Sequence, residues 1–542
     1  VSRGSQEDER IIREIATRSV TRRGFLKGAG VVGAGLALGP VISACGGSSD
    51  GGGGGDTGGS GGDGPKKGGS LKIGIVGGSA KDTLDPQNAT TAPDTAIQFA
   101  LFDTLLGWTP DYELENHMAE EVTPNADATV WTVRLKPDLT WHDGKPVTAD
   151  DIVFSFQRIC DPDSPLPSAS SLGGLTPDGV VKKDDRTVEL QLPAPNSVLT
   201  DGIALRTTMM VPEGFTTENP VGCGPFKLNS FKPGEQITFL PFDGYWGDGP
   251  YVDELTLIEY ADPTARVNAF ISGTIDIMSE LPRAQKQIIE NTDGLAPLEA
   301  KTGGWIPFCM RIDQKPFDDV RVRQAFRLMV DRPQMLEQAY AGLGWVANDV
   351  YSPYDPGYPS DLPQREQDLE QAKSLLKQAG YSDLSVELVT SDSISSGAVA
   401  AAQVFAEQAK GAGVDVRINK VDGGVMYGEN YLSWTFSMDW WLMRNYLVQA
   451  SAGSTTTAPY NETHWKDEEW QKLIDEAFRT VDADKRNELV GEAARIEHDR
   501  GGYIIWSFNN QLDAVSQKIG GVVPDVSGLP IGGYRYANYY YM

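Results

Sequence analysis

The stretch from Trp434 to Tyr446, WTFSMDWWLMRNY, gathers side chains able to hold a small molecule. Trp440 and Trp441 offer flat faces for stacking. Arg444 carries a guanidinium fork that matches a carboxylate or phosphate through two parallel, charge-assisted hydrogen bonds. Asp439 offers the opposite chemistry, a carboxylate for an ammonium group. An Arg444 that points outward is an ordinary surface arginine instead. Neighbouring side chains of a strand face opposite ways, so the two tryptophans cannot enter one core. One of them is expected to face a cleft or another domain. Two further binding candidates stand elsewhere, Asn88 in the turn Asp85-Pro86-Gln87-Asn88 and Trp305. The loop holding Asn88 follows a first strand, a place where binding residues concentrate.

Catalytic chemistry has little raw material. The chain contains no G-x-S-x-G, H-E-x-x-H, G-x-x-x-x-G-K-[ST] or C-x-x-C string. His142 lies in a strand–turn stretch without a partner Ser or Cys motif and reads as a structural histidine. Cys160, Cys223 and Cys309 read as buried thiols; one disulfide among them after export leaves one thiol over. Four cysteines and four histidines give no zinc cluster. No catalytic residue, metal or cofactor is expected. A formal charge of −28 argues against nucleic-acid binding, which needs a basic footprint.

The N-terminus reads as processing signals. Thr21-Arg22-Arg23-Gly24-Phe25-Leu26-Lys27 matches a twin-arginine export signal, with Arg22 and Arg23 as its pair. The run from Gly28 to Val41 is too short and glycine-rich for a membrane-spanning helix. Ile42-Ser43-Ala44-Cys45 resembles a bacterial lipobox, in which the Cys45 thiol takes the lipid. Residues 1–44 are expected to be removed, and residues 45–70 to form a lipidated cysteine and a tether of Gly, Ser and Asp. Such a tether reaches about 25–30 Å.

The remaining chain is long enough for two or three domains. Pro220 to Met278 reads as strand, strand, strand, helix, strand, with the turn Lys232-Pro233-Gly234-Glu235 and an Asp262 helix cap. Leu71–Val76 and Trp131–Leu135 alternate as strands. Thr95–Leu106 is a short helix or strand. Thr148 and Asp151 mark a helix start whose apolar face is Ile152, Phe156 and Ile159. A helix begins near Asp319, another at Asp331-Arg332-Pro333, and their arginines read as surface or interdomain ion-pairing groups. Ser385–Thr390, Ala398–Lys410 and Val414–Lys420 form a βαβ unit, which implies a parallel strand pair. Gly502–Phe508 and Ala514–Val522 read as late strands.

Several of these segments carry a resemblance. Val221-Gly222-Cys223-Gly224-Pro225-Phe226, Tyr245-Trp246-Gly247 and Gly273-Thr274-Ile275-Asp276 occur in that order. Leu84-Asp85-Pro86, the string WHDGKPVTADDIVFS from Trp141 to Ser155, and the run from Asp319 to Ala325 with Asp331-Arg332 add to them. By these motifs residues 70–542 resemble family 5 of the bacterial extracellular solute-binding proteins, the oligopeptide, dipeptide and nickel class that feeds ABC importers. Cys223 departs from the pattern, which usually has a hydroxyl residue there. In peptide binders of the family a Trp is followed three residues later by an Asp that holds the peptide's α-ammonium group. Trp441 has Arg444 at that spacing instead.

The resemblance implies an α/β, two-lobed periplasmic-binding-protein fold (class II, cluster C type) with an extra domain, mixed sheets and a hinged cleft. Residues 71–105, 220–301 and 501–542 would form lobe I, 106–219 the extra domain and 302–500 lobe II. It further implies capture of a peptide or peptide-like ligand in the interlobe cleft and delivery to a permease, with ATP hydrolysed by other subunits. Trp441, Arg444, Trp440, Asp439, Asn88 and Trp305 are its candidate ligand-binding residues. The implied partners are the ABC permease and ATPase subunits and, through Cys45, the outer face of the cytoplasmic membrane. The chain would act as a monomer. Three other readings stay open: a binder of an oligosaccharide or anionic metabolite on the same fold, a secreted hydrolase using paired carboxylates, and a receptor or chaperone-like surface protein that keeps the fold without the transporter.

Overall fold

The computed structural model describes residues 65–78, 81–395 and 397–542. The twin-arginine stretch, Cys45 and the tether up to residue 64 lie outside them. In the strand Ser70–Val76, Leu71, Ile73 and Ile75 are buried, and the strand sits in the middle of an eight-stranded mixed sheet. It runs parallel to both neighbours, Glu254–Tyr260 and Ile277–Met278. The other strands pair antiparallel, from the hairpin Phe226–Lys232 and Gln236–Pro241 on one side to Ser507–Ser516 and Leu295–Trp305 on the other. The helix Ala92–Leu101 covers one face and Pro263–Ile271 the other. The Asp262 carboxylate accepts the Ala265 N–H at 2.7 Å and starts the second of these, and Gly273, at φ 70°, follows its end. This sheet is lobe I. The stretch expected as helix or strand from Thr95 is the helix Ala92–Leu101, begun three residues earlier by a capping box of Thr91 and Asp94.

A second sheet, in the order Val414–Lys420, Leu384–Thr390, Phe436–Met438, Phe308–Met310 and Tyr503–Ile504, forms lobe II. Leu384–Thr390 runs parallel to Val414–Lys420, with the helix Ala398–Lys410 between them in sequence. Phe308, Phe326, Phe405 and Phe436 build the core under the helices Val320–Leu328, Arg332–Tyr340 and Ala398–Lys410. The extra domain is an antiparallel sheet of Ala119–Pro124, Val130–Leu135, Thr187–Gln191 and Val180–Lys182, packed on the helix Ala149–Ile159. That helix is capped through Asp151, whose carboxylate accepts the Thr148 N–H at 2.8 Å and the Trp141 indole N–H at 3.1 Å.

Lobe I and the extra domain are joined through Asp103. Its carboxylate accepts the Trp246 indole N–H at 2.8 Å and pairs with His117 at 2.8 Å. Burial alone would lower the His117 pKa, but Asp103 and Glu115 outweigh it and raise it to about 9, so the ring is charged at neutral pH. The Tyr245-Trp246-Gly247 motif therefore serves a domain joint. His142 is structural as well: its Nε2 lies 3.0 Å from the Gly224 carbonyl and its Nδ1 accepts the Gly222 N–H at 3.3 Å. Burial pushes it down to about 4. Cys160, Cys223 and Cys309 are all buried and free, so no disulfide forms among them. Cys223 contacts the Met118 sulfur at 3.5 Å within an apolar cluster.

The chain crosses from lobe I to lobe II between Trp305 and Phe308 and returns between Ile504 and Ser507. The crossings therefore fall a few residues beyond the boundaries expected at 302 and 501. Trp345–Val346, expected in lobe II, also pairs with Ser507–Ser516 of the lobe I sheet. The late strand expected from Ala514 is the end of the continuous strand Ser507–Ser516.

The arginines of the helix pair correct an expectation. Arg321 is a surface group paired with Asp319 at 2.5 Å, but Arg323, Arg327 and Arg332 are buried. Arg323 donates to the Arg500 and Gly501 carbonyls, and Arg327 to the Tyr503 carbonyl at 2.9 Å. Their helix lies against the returning chain, and orphan carbonyls there need donors. Arg332 pairs with Asp349 at 2.5 Å, and Arg365 pairs with the same carboxylate. Asp349 also accepts the Ile505 N–H at 3.0 Å, which fixes the return crossing. Burial opposes its charge, yet Arg332, Arg365 and Arg327 hold it at about 2.

Asp349→Ala would leave the buried Arg332 and the largely buried Arg365 uncompensated, a loss of about 3–5 kcal/mol. Urea denaturation at pH 7 should show it, and an unchanged midpoint would contradict this account. The lowered pKa also sets a pH window. Asp349 contributes stability above its unfolded value of 3.8 and loses it as pH falls toward about 2.

Candidate ligand-binding cleft

The crossing strand Leu295–Trp305 delivers Trp305, which is buried, to the junction of the lobes. There it pairs by backbone with Trp441: the Trp305 N–H donates to the Trp441 carbonyl at 3.0 Å, and the reverse bond is 2.9 Å. Their rings stack at 6.0 Å with an 18° tilt. Tyr351 stacks on Trp305 at 5.6 Å, Tyr446 on Tyr351 at 4.7 Å, and Tyr503 meets Trp305 edge-on at 5.2 Å. The adjacent tryptophans separate as strand geometry requires. Trp441 joins this aromatic layer, while Trp440 packs, partly buried, against the lobe II core.

Arg444 lies over the Trp441 ring at 5.6 Å. Burial lowers its pKa, and Tyr112 and Tyr460 work against that shift. No ion pair joins its guanidinium to a carboxylate within 4.0 Å among the described residues. Close to it in the chain, the Trp441 indole N–H, the Asn445 side-chain oxygen and both ends of the Gln449 amide are buried without a hydrogen-bond partner among the described residues. Buried polar groups are ordinarily satisfied, so these four atoms near a buried cation are exceptions.

Asp439 is placed differently. It is buried inside lobe II, accepts the Tyr427 hydroxyl at 3.1 Å and the Trp440 N–H at 2.8 Å, and adjoins Glu462. Burial raises it to about 6, and burial with Asp439 beside it raises Glu462. Two acids that close together share a proton rather than both ionise. Asn88 is exposed at the end of the turn Pro86–Asn88. That turn is fixed to the extra domain by the Asp85–Arg158 ion pair and by the Gln87 amide donating to the Met209 carbonyl at 2.9 Å. The structure thus brings Trp305, Trp441 and Arg444 into contact, packs Trp440 on the lobe II core, buries Asp439 within that lobe, and does not join Asn88 to them.

Tyr112 was missed by sequence reasoning. It has φ 67°, uncommon for a residue with a side chain. It stacks on Trp108 at 4.4 Å and donates its hydroxyl to the Met443 carbonyl at 3.4 Å. The aromatic pair flanking the turn-forming Pro110-Asp111 was the available signal.

Residues 113–463 match the family described as bacterial extracellular solute-binding proteins, family 5 (middle region), and residues 19–39 match the twin-arginine translocation signal sequence. The chain is 24% identical over 489 residues to the glutathione-binding protein GsiB of Pectobacterium atrosepticum, covering 83% of this chain and 91% of that protein. It is 26% identical over 467 residues to the dipeptide-binding protein of Escherichia coli, covering 78% and 85%. Among solved structures it is similar to the periplasmic binding protein DppA from Helicobacter pylori in complex with the peptide STSA. The TM-score is 0.70 at 20% identity, covering 88% of this chain and 98% of that one. The export signal and the family place the chain outside the cytoplasm. On the span of that family match and the two-lobed fold, the chain belongs to family 5 of the bacterial extracellular solute-binding proteins.

Proposed function

We propose that this chain is the solute-capturing component of an ABC importer, and that its ligand is a peptide or peptide-like acid whose carboxylate pairs with Arg444. The observation that carries the reading is the Arg444 guanidinium, partly buried over Trp441 with no ion pair to a carboxylate among the described residues. A desolvated cation favours a counter-ion, and a carboxylate meets guanidinium through two charge-assisted bonds. The relatives named for glutathione and dipeptides bind carboxylic acids, which agrees with an acid-reading site. The Trp441 ring already contacts Trp305 and Arg444, which makes it a poor platform for a stacked sugar. The ligand is handed unchanged to the permease, and ATP is spent by separate subunits. Trp305 shapes the site from beneath, and Trp440, Asp439 and Asn88 stand outside it.

A thermal-shift panel of di- and tripeptides and their C-terminal amides tests the assignment. A free-acid ligand at 100 times its Kd should stabilise the exported chain by about 2.7 kcal/mol. The matching amide should bind at least ten-fold more weakly, and Arg444→Gln should erase the difference. Equal affinity for acids and amides, or an Arg444→Gln chain that binds like the parent, would contradict the assignment.

We further propose that Cys45 carries a lipid, so that the tether lets the domain meet its permease on the membrane surface. Cys45→Ser should move the chain from the membrane to the soluble fraction; retention on the membrane would count against the anchor.

A further inference from the structure

The extra domain touches lobe II at two points that flank Arg444. On one side the Tyr112 hydroxyl donates to the Met443 carbonyl at 3.4 Å. On the other the Asn445 amide donates to the Asp201 carboxyl at 2.6 Å. The segment before Asp201 docks on the same lobe: the Ser197 N–H donates to the Phe478 carbonyl at 2.8 Å, and the Ser197 hydroxyl to the Ala477 carbonyl at 2.8 Å. Those carbonyls close the helix Glu468–Arg479, and Val198 packs on the aromatic layer beside them. The extra domain is fastened to lobe I by Asp103, Asp85 and Gln87. An opening of lobe I away from lobe II would therefore carry the extra domain with it and break these contacts.

We propose that Asp201 and Asn445 form a proton-dependent latch that holds the extra domain on lobe II, the latch tightening when Asp201 takes up a proton. Two geometric observations carry this. Asp201 is buried where the extra domain meets lobe II, on the short helix Leu199–Ile203. Its partner Asn445 has a side-chain oxygen that is buried and has no donor among the described residues. An ionised Asp201 can only accept, whereas a protonated one also carries an O–H to donate to an unsatisfied acceptor.

The charges around the latch agree. Burial raises Asp201 to about 7; the Asn445 bond works against this and Asp355 behind it adds to it. Asp355 is itself occupied by the Tyr446 and Gly357 N–H groups at 2.7 Å. Arg486 attracts the ionised form from the helix Ala483–Arg500 but donates to the Thr480 and Val481 carbonyls. Tyr112, facing the same carboxyl, is raised by burial and stays a neutral phenol, and Arg444 is the residue next to Asn445. When the jaw opens, Asp201 meets water and returns toward its ordinary 3.8. The carboxyl pKa is higher in the closed form, so closure is favoured at low pH and the advantage is lost as pH rises through about 7.

The closed fraction of the ligand-free exported chain can be read as a distance between one spin label on the extra domain and one on lobe II. Between pH 8 and pH 5.5 the closed-to-open ratio should rise roughly 30-fold, from the linkage of the two pKa values. Asp201→Asn, a neutral group of the same shape, should hold the closed form equally at both pH values. Circular dichroism confirms that the variant is folded. A parent chain with the same ratio at both pH values, or an Asp201→Asn chain that keeps the parent's pH response, overturns the latch. No ligand enters the measurement, so its outcome is independent of the role given to Arg444.

Discussion

Asp349 lies fully buried between Arg332 and Arg365 and receives the Ile505 N–H, and the geometry of the two lobes depends on that cluster. A carboxylate in such a place keeps its charge only because two guanidinium groups face it. Arg327 and Arg323 extend the same clamp to the carbonyls of Tyr503, Arg500 and Gly501. The second crossing is thereby anchored to the helices of lobe II.

From this anchor aromatic layers lead to the proposed ligand site. Tyr503 abuts Trp305, Trp305 carries Trp441, and Trp441 carries Arg444. Rigid rings lose little conformational entropy when they position a neighbour, so the guanidinium stands on a prepared floor. The extra domain meets that floor at Met443 and Asn445, on either side of Arg444. A ligand held at Arg444 would thus lie where lobe II and the extra domain close on one another. The export signal and family place this cycle outside the cytoplasm.

Much of the fold was legible in the sequence, because its signals are local. Leu71, Ile73 and Ile75 alternate, Asp262 and Asp331 cap helices, and Gly273 ends one. Long-range placement was less legible. Arg323 and Arg327 look like helix-surface residues in sequence, and only the returning strand at Tyr503 buries them. The crossings fall a few residues from the expected boundaries, because a strand continues as long as a neighbour pairs with it. The contact of Arg444 with Trp441 was readable, since both lie on one short stretch. Asn88 and Trp305 were proposed together, yet only Trp305 reaches Trp441; the turn at Asn88 is committed to Arg158 and Met209. Tyr112 left only a local signal, the aromatic pair around Pro110-Asp111, and Asp201 left none, because their contacts are made across the interface.

The central claim is that the solute is an acid read by Arg444. Native mass spectrometry of the exported chain, with whatever ligand it retains on purification, tests it most directly. The account predicts a bound mass that fragments as a peptide or peptide-like carboxylic acid and is absent from Arg444→Gln. A neutral oligosaccharide, or the same acid retained by Arg444→Gln, would contradict it.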